Sequence, residues 1–163
     1  METGSVYYAR HENTYVIKLI GEVRYQLGCA FDDFLKRLFA KDDFRDIVID
    51  LTETRMIDST CLGLLAKIAN YARAHFGGKV TMFSTDDDIN QILHGVGFNN
   101  VFNICNVKPG AADNAQQIHT CAPNQDHLAR TLYDAHLILS ELNDKNREMF
   151  RNVVEMLKDK ANT

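Results

Sequence analysis

The stretch "FRDIVIDLTETRMIDSTCLGLL", residues 44–65, changes hydrophobic period in mid-course, and that change constrains the fold more than any other feature. "DIVIDL", residues 46–51, is a near-continuous apolar run of the kind expected for a strand covered on both faces. From Ser59 onward, Leu62, Leu65, Ala66, Ala69 and Ala72 or Arg73 recur at helical spacing. That stripe ends near "HFGG", where Gly77 and Gly78 can stop a helix.

The same alternation extends to both sides. Upstream, "VYYAR" and "TYVIKLIG" are β-rich runs separated by the turn-like "HEN", which predicts an antiparallel pair. "GCAFDDFLKRLFAKDDF" then sets Phe31, Phe34, Leu35, Leu38 and Phe39 at helical spacing. Downstream come the strand "KVTMFS", the helix "TDDDINQILHGVGF" with acids at its start and glycines at its end, and the short strand "NVFNI". The order ββαβαβαβ to about residue 105 predicts an α/β fold. Its mixed β-sheet is antiparallel in the first hairpin, then parallel, and is packed by helices.

Both prolines, Pro109 and Pro123, lie in the polar, breaker-rich stretch that follows, so residues 107–125 read as a linker between a domain at 1–106 and a helical extension at 126–163. Asp126 is a candidate cap for that extension. Leu128, Leu132, Ala135, Leu139, Leu142, Asn146, Met149, Val153 and Met156 form a heptad pattern with Asn146 at an a position. Ile138, Phe150, Val154 and Leu157 widen the apolar stripe, which favours a helix or helical hairpin packed on the domain over an intermolecular coiled coil. "NDKN", residues 143–146, is the candidate hairpin turn.

Composition narrows the function. A net charge of −4 with interspersed signs argues against nucleic acid, which calls for a clustered basic face. No apolar run is long enough to span a membrane, and "METGSVYYARHENTY" lacks a signal-peptide layout, so a cytoplasmic chain is expected. Cys29, Cys61, Cys105 and Cys121 are widely spaced, with no paired motif and no His at zinc spacing; reduced thiols and no metal are expected. The acids of "TDDDIN" lack the alternation and glycine of a calcium loop, and Gly77-Gly78-Lys79 lacks a phosphate-loop frame; no cofactor is indicated.

Asp58-Ser59-Thr60 stands where strand pattern gives way to helix. Ser59 is well placed as an N-cap whose Oγ accepts from a backbone N–H one turn on. An exposed hydroxyl there is also a candidate phosphate acceptor, since the helix dipole favours added negative charge while a docked partner would have to desolvate it beside Asp58. Cys61, near the helix start, is a candidate redox thiol or a small packing residue. Ser59 as a catalytic nucleophile would need a neighbouring base, and the surrounding motif is not G-x-S-x-G. His75 and His94, near helix ends, are expected on the surface.

The segment "FRDIVIDLTETRMIDSTCLGLLAKIANYARAHFGGKVTMFSTDDDINQILHGVGFNNVFNI" resembles the STAS domain of bacterial anti-sigma-factor antagonists. The matching features are the strand ending in Asp50-Leu51, the "IDST-x-LG-LL" stretch from Ile57 to Leu65, the Gly-Gly-Lys turn and the "I-x-x-I-L-x-x-x-G-F" helix from Ile89 to Phe98. Gly21-Glu22 fits the family's strand-end turn, and the resemblance covers roughly residues 5 to 106.

The resemblance implies partner switching and transcription regulation by a non-enzymatic phosphoprotein. The unphosphorylated form binds an anti-sigma factor that is itself a serine kinase, freeing the sigma factor; phosphorylation blocks binding, and a PP2C-like phosphatase restores it. Carried over, Ser59 is the phosphoacceptor, and Met56, Asp58, Thr60 and Cys61 join it in the partner-binding surface. Thr60 and Cys61 stand where the family commonly has Ser and Gly. The alternative reading is a STAS-type scaffold whose C-terminal helix drives self-association or recruits a second signalling protein.

Overall fold

Six strands form one sheet in the order β5-β4-β3-β2-β1-β6 in a computed structural model that describes residues 3–110, 114–119 and 124–162. β1 (Ser5–His11) and β2 (Thr14–Val23) pair antiparallel around a tight turn in which Glu12 takes a positive φ of 56°. β2 then pairs in parallel with β3 (Asp46–Ile57), β3 with β4 (Val80–Phe83) and β4 with β5 (Phe102–Cys105). The connecting helices are α1 (Gly28–Lys41), α2 (Ser59–Phe76) and α3 (Asp87–Gly95). The mixed α/β sheet expected from the hydrophobic pattern is the sheet observed.

Two expectations are corrected. From β2 to β5 the strand order advances in one direction only. Right-handed crossovers therefore return every connecting helix to the same side, and the sheet is not covered by helices on both faces. Ile17, Leu19, Ile47, Ile49, Leu51 and Met82 are fully buried on the helical side. Val16, Lys18, Ile20 and Val48 face the other side, where residues 108–110 and Ala115 help to line a groove of about 460 Å³.

The second correction concerns residues 107–125. This segment is not a bare linker, because it contains β6 (Gln116–Ile118), which pairs antiparallel with the outer edge of β1. Three residues with a single buried side chain, Ile118, left too little pattern to identify a strand. The edge that β1 would otherwise present is thereby paired. Cys121 and Pro123 lie outside the described residues.

The C-terminal extension is a helical hairpin, α4 (Gln125–Ser140) and α5 (Asp144–Ala161). Its caps are shifted from the expected residues. Asn124, not Asp126, caps α4 by accepting from His127 N–H at 2.7 Å. Asn143 caps α5 through Asn146 N–H at 2.8 Å, so the turn lies at 141–143 and Lys145 and Asn146 are already helical. Asn146 is fully buried, yet it does not face a second chain across a coiled-coil seam. Its Nδ2 donates to the carbonyls of Val96 (2.9 Å) and Leu139 (3.0 Å), tying α5 to the end of α3 and to α4.

Candidate functional site at the start of α2

β3 leaves the sheet at Ile57, and α2 begins two residues later. Asp58, in extended conformation, is the residue that caps the helix: one carboxylate oxygen accepts from Cys61 N–H at 3.0 Å. The other accepts from Tyr25 N–H at 2.7 Å, which anchors the segment preceding α1 to the same point. The expected Ser59 cap is thus displaced by one residue. A carboxylate beside the helix N-terminus gains from the dipole what a neutral hydroxyl would not, and Ser59 takes the first helical position instead.

Relieved of capping, the half-buried Ser59 points its hydroxyl at the hairpin. Its Oγ lies 2.7 Å from Nε2 of His136 on α4. The other ring nitrogen, Nδ1, is 2.7 Å from the Leu132 carbonyl one turn back. A carbonyl only accepts, so Nδ1 carries the proton; in the neutral ring Nε2 is the acceptor and Ser59 donates to it. His136 had no role in the sequence reading. Its only signal was a histidine inside an apolar heptad stripe, which does not reveal which surface that stripe covers.

The neighbours of Ser59 divide into outward and inward groups. Met56 is exposed and Asp58 half-buried. Thr60 is 3% exposed; a Cβ added at Gly28 would meet its methyl at 3.3 Å and that of Thr131 at 3.8 Å, so all three lie at one α1–α2–α4 junction. Cys61 is fully buried, with its Sγ 3.4 Å from the Arg24 carbonyl. Burial, reinforced by the Asp58 carboxylate, pushes its thiol well above the usual cysteine range, which opposes the thiolate a redox switch requires. Cys61 shapes the helix start from within and offers no surface to a partner in this conformation. His75 and His94 are exposed, as expected.

One turn beyond Ser59 on the same helical face, Gly63 meets α4 backbone to backbone. A Cβ there would lie 2.1 Å from the Ala135 carbonyl oxygen, so any side chain larger than hydrogen forces the helices apart. Ser59, Thr60 and Gly63 therefore form a strip of α2 that α4 covers.

A family model for the STAS domain matches residues 6–111. Among solved structures, the chain is similar to the anti-sigma factor antagonist SpoIIAA in its unphosphorylated form, at 13% identity and a TM-score of 0.53, covering 64% of this chain and 89% of the other. It is similar also to the Bacillus cell fate determinant SpoIIAA in the phosphorylated form, at 14% identity and a TM-score of 0.51, covering 61% and 90%. No curated protein matches the sequence. Among the described residues, no helix is long and apolar enough to cross a membrane, and no group of three His, Cys, Asp or Glu is placed to hold a metal ion.

Proposed function

Because the chain belongs to the STAS-domain family, we propose that it antagonises an anti-sigma factor by partner switching, with Ser59 as the phosphorylated switch residue. The unphosphorylated chain binds an anti-sigma factor of serine-kinase type and frees its sigma factor; phosphate on Ser59 blocks docking, and a PP2C-like phosphatase removes it. The observation that supports this reading most directly is the division of labour at the helix start. Asp58 supplies the cap, so the Ser59 hydroxyl can be esterified without removing the hydrogen bond that holds α2 in place. The added charge of about −1.5 to −2 sits at the favourable end of the helix dipole. It also obliges a docked partner to desolvate a dianion beside Asp58.

On this reading Thr60, whose side chain packs against α1 at Gly28, does not compete as acceptor. Met56 and Asp58 flank Ser59 in the docking surface. The protein works in the cytoplasm as a binding module rather than an enzyme. A serine bonded to an imidazole is also how a hydrolytic nucleophile is activated, but here a neutral carbonyl orients a ring that is 5% exposed.

The test is to incubate the chain with its anti-sigma kinase, map the phosphate, and compare binding of wild type, Ser59→Ala and Ser59→Asp. Phosphate on Ser59 and loss of at least about tenfold in affinity for Ser59→Asp are expected. Equal binding by wild type and Ser59→Asp, with no phosphate on Ser59 in cells, sinks the switch. A scaffold reading draws on Met149 and Met156, which stand exposed on α5 and suit an adaptable contact with a second signalling protein or another copy. It predicts that Met149→Glu abolishes association measured by light scattering while Ser59 variants remain silent.

A further inference from the structure

The strip of α2 that carries Ser59 is already occupied by α4 of the same chain. A partner that senses a phosphate on Ser59 must make close contact at that hydroxyl, where His136 now sits at 2.7 Å. One turn further along, the α4 backbone lies against Gly63 too closely for anything to pass between them. We propose that the α4–α5 hairpin is an intramolecular competitor of the anti-sigma partner, which docks on the Ser59–Gly63 strip only after the hairpin has swung away. The proposal rests on the antagonist reading and adds to it the regulation of that surface.

The chemistry of the contact fits a cover that lifts. Of the five buried residues of α4, three are polar (Thr131, His136, Ser140) and one is alanine; only Leu139 is a large apolar side chain. α5 fully buries only Asn146 and Leu157, and the remaining apolar contact of the hairpin comes from the half-buried Ile138, Leu142 and Phe150. Interfaces between parts that separate are more polar than permanent cores, and each polar group here can turn to water when the surfaces part. The sheet does not depend on the hairpin for its pairing, since β6 precedes α4 and already covers the β1 edge. The hairpin therefore leaves as a unit and exposes a helix face containing a hydroxyl and a glycine, shaped to accept another helix at close approach.

The structure also offers a way to lock the cover. Cys29 Sγ on α1 lies 3.7 Å from Thr131 Oγ1 on α4, so Thr131→Cys places a second sulfur within reach of a disulfide after a small rotamer change. Oxidised and reduced forms of this one full-length variant are compared for affinity toward the kinase that phosphorylates Ser59. Hydrogen exchange is followed on both forms without the kinase. Ala135→Arg, which overfills the helix crossing, is the opening variant.

We expect the oxidised form to bind the kinase at least about tenfold more weakly than the reduced form, and Ala135→Arg to bind more tightly than wild type. In the reduced protein the amides of α4 and α5 should exchange together and well before those of β2 and β3. Equal affinity of oxidised and reduced forms overturns the competition and leaves the antagonist reading intact. Exchange of the hairpin only when the whole sheet unfolds overturns it whether or not any kinase binds. A kinase that binds none of the forms removes the antagonist reading, and the competition falls with it. Because the lock needs only a reductant to reverse, misfolding of Ala135→Arg does not blur the result.

Discussion

The sheet unit and the C-terminal hairpin are both helical where they meet, but they are held by different kinds of contact. Between the sheet and α1 to α3, fully buried Phe31, Leu35, Phe44, Ile49, Leu65, Phe98 and Phe102 interdigitate with almost no polar atoms among them. Where α4 and α5 cover that unit, hydrogen bonds from Ser59, Asn143 and Asn146 and the short approach at Gly63 accompany a smaller apolar contact, with Ala135 and Leu139 at its centre and Ile138, Leu142 and Phe150 half-buried around them. The first kind of contact has no good intermediate, because separating it exposes hydrocarbon on both sides. The second exchanges protein hydrogen bonds for water at modest net cost. One chain thus combines a cooperative platform with an attachment whose release does not threaten it.

Substitutions can break this contrast, starting with the largest effect. Ile49→Ala, at the centre of β3, should cost about 2–5 kcal/mol and lower the denaturation midpoint of sheet and hairpin together, because the hairpin has nothing to dock on once the platform melts; a hairpin that stays folded after the sheet has melted would refute that dependence. Asn146→Ala should cost about 1–3 kcal/mol by leaving two buried carbonyls short of a donor, and its effect should be regional. Hydrogen exchange should accelerate in α4 and α5 and remain unchanged in β2 and β3. Acceleration everywhere would mean that the hairpin is part of the platform.

Asp58→Ala removes the α2 cap and the bond to Tyr25 N–H, for a loss of about 1 kcal/mol in thermal unfolding of the sheet unit, while Ser59→Ala should leave that unit's stability nearly unchanged. The smallest effect belongs to the open face of the sheet, where Glu53 pairs with Lys18. The hydrogen bond from Lys18, opposed by burial, holds the Glu53 carboxyl below its ordinary value of 4.5. The pair therefore stabilises fully above that ordinary value, and its contribution is lost as pH falls through the lowered one. Glu53 is substantially exposed, so Glu53→Gln should cost no more than about 0.5 kcal/mol at neutral pH and nothing in strong acid.

What could be read from the sequence follows the same boundary. The period change at 46–65, the glycines after α2 and the acids opening α3 each encode an element through its own residues, and those elements are present. The site was visible as Asp-Ser-Thr at a strand-to-helix junction, but not the assignment of the cap to Asp58 and of the Ser59 hydroxyl to His136. Asp and Ser are both good caps, and only the backbone conformation at 58 separates them. Three features depend on partners distant in sequence and carry little local pattern. β6 is defined by β1, the burial of Asn146 by the end of α3, and the role of His136 by Ser59, 77 residues away. The heptad stripe announced that the tail would cover something. Its target was encoded by Gly63, whose missing side chain shows no periodicity at all.

β6 pins the chain to the sheet edge only a few residues before α4 begins. A hairpin held on so short a tether never diffuses away when it lets go. It returns to the strip at an effective concentration on the order of millimolar, against which a soluble rival present at far lower concentration must compete. Tether length thus sets a threshold. Lengthening the connection between Ile118 and Gln125 would lower the dose of partner needed for capture, without altering a single contact on the strip itself.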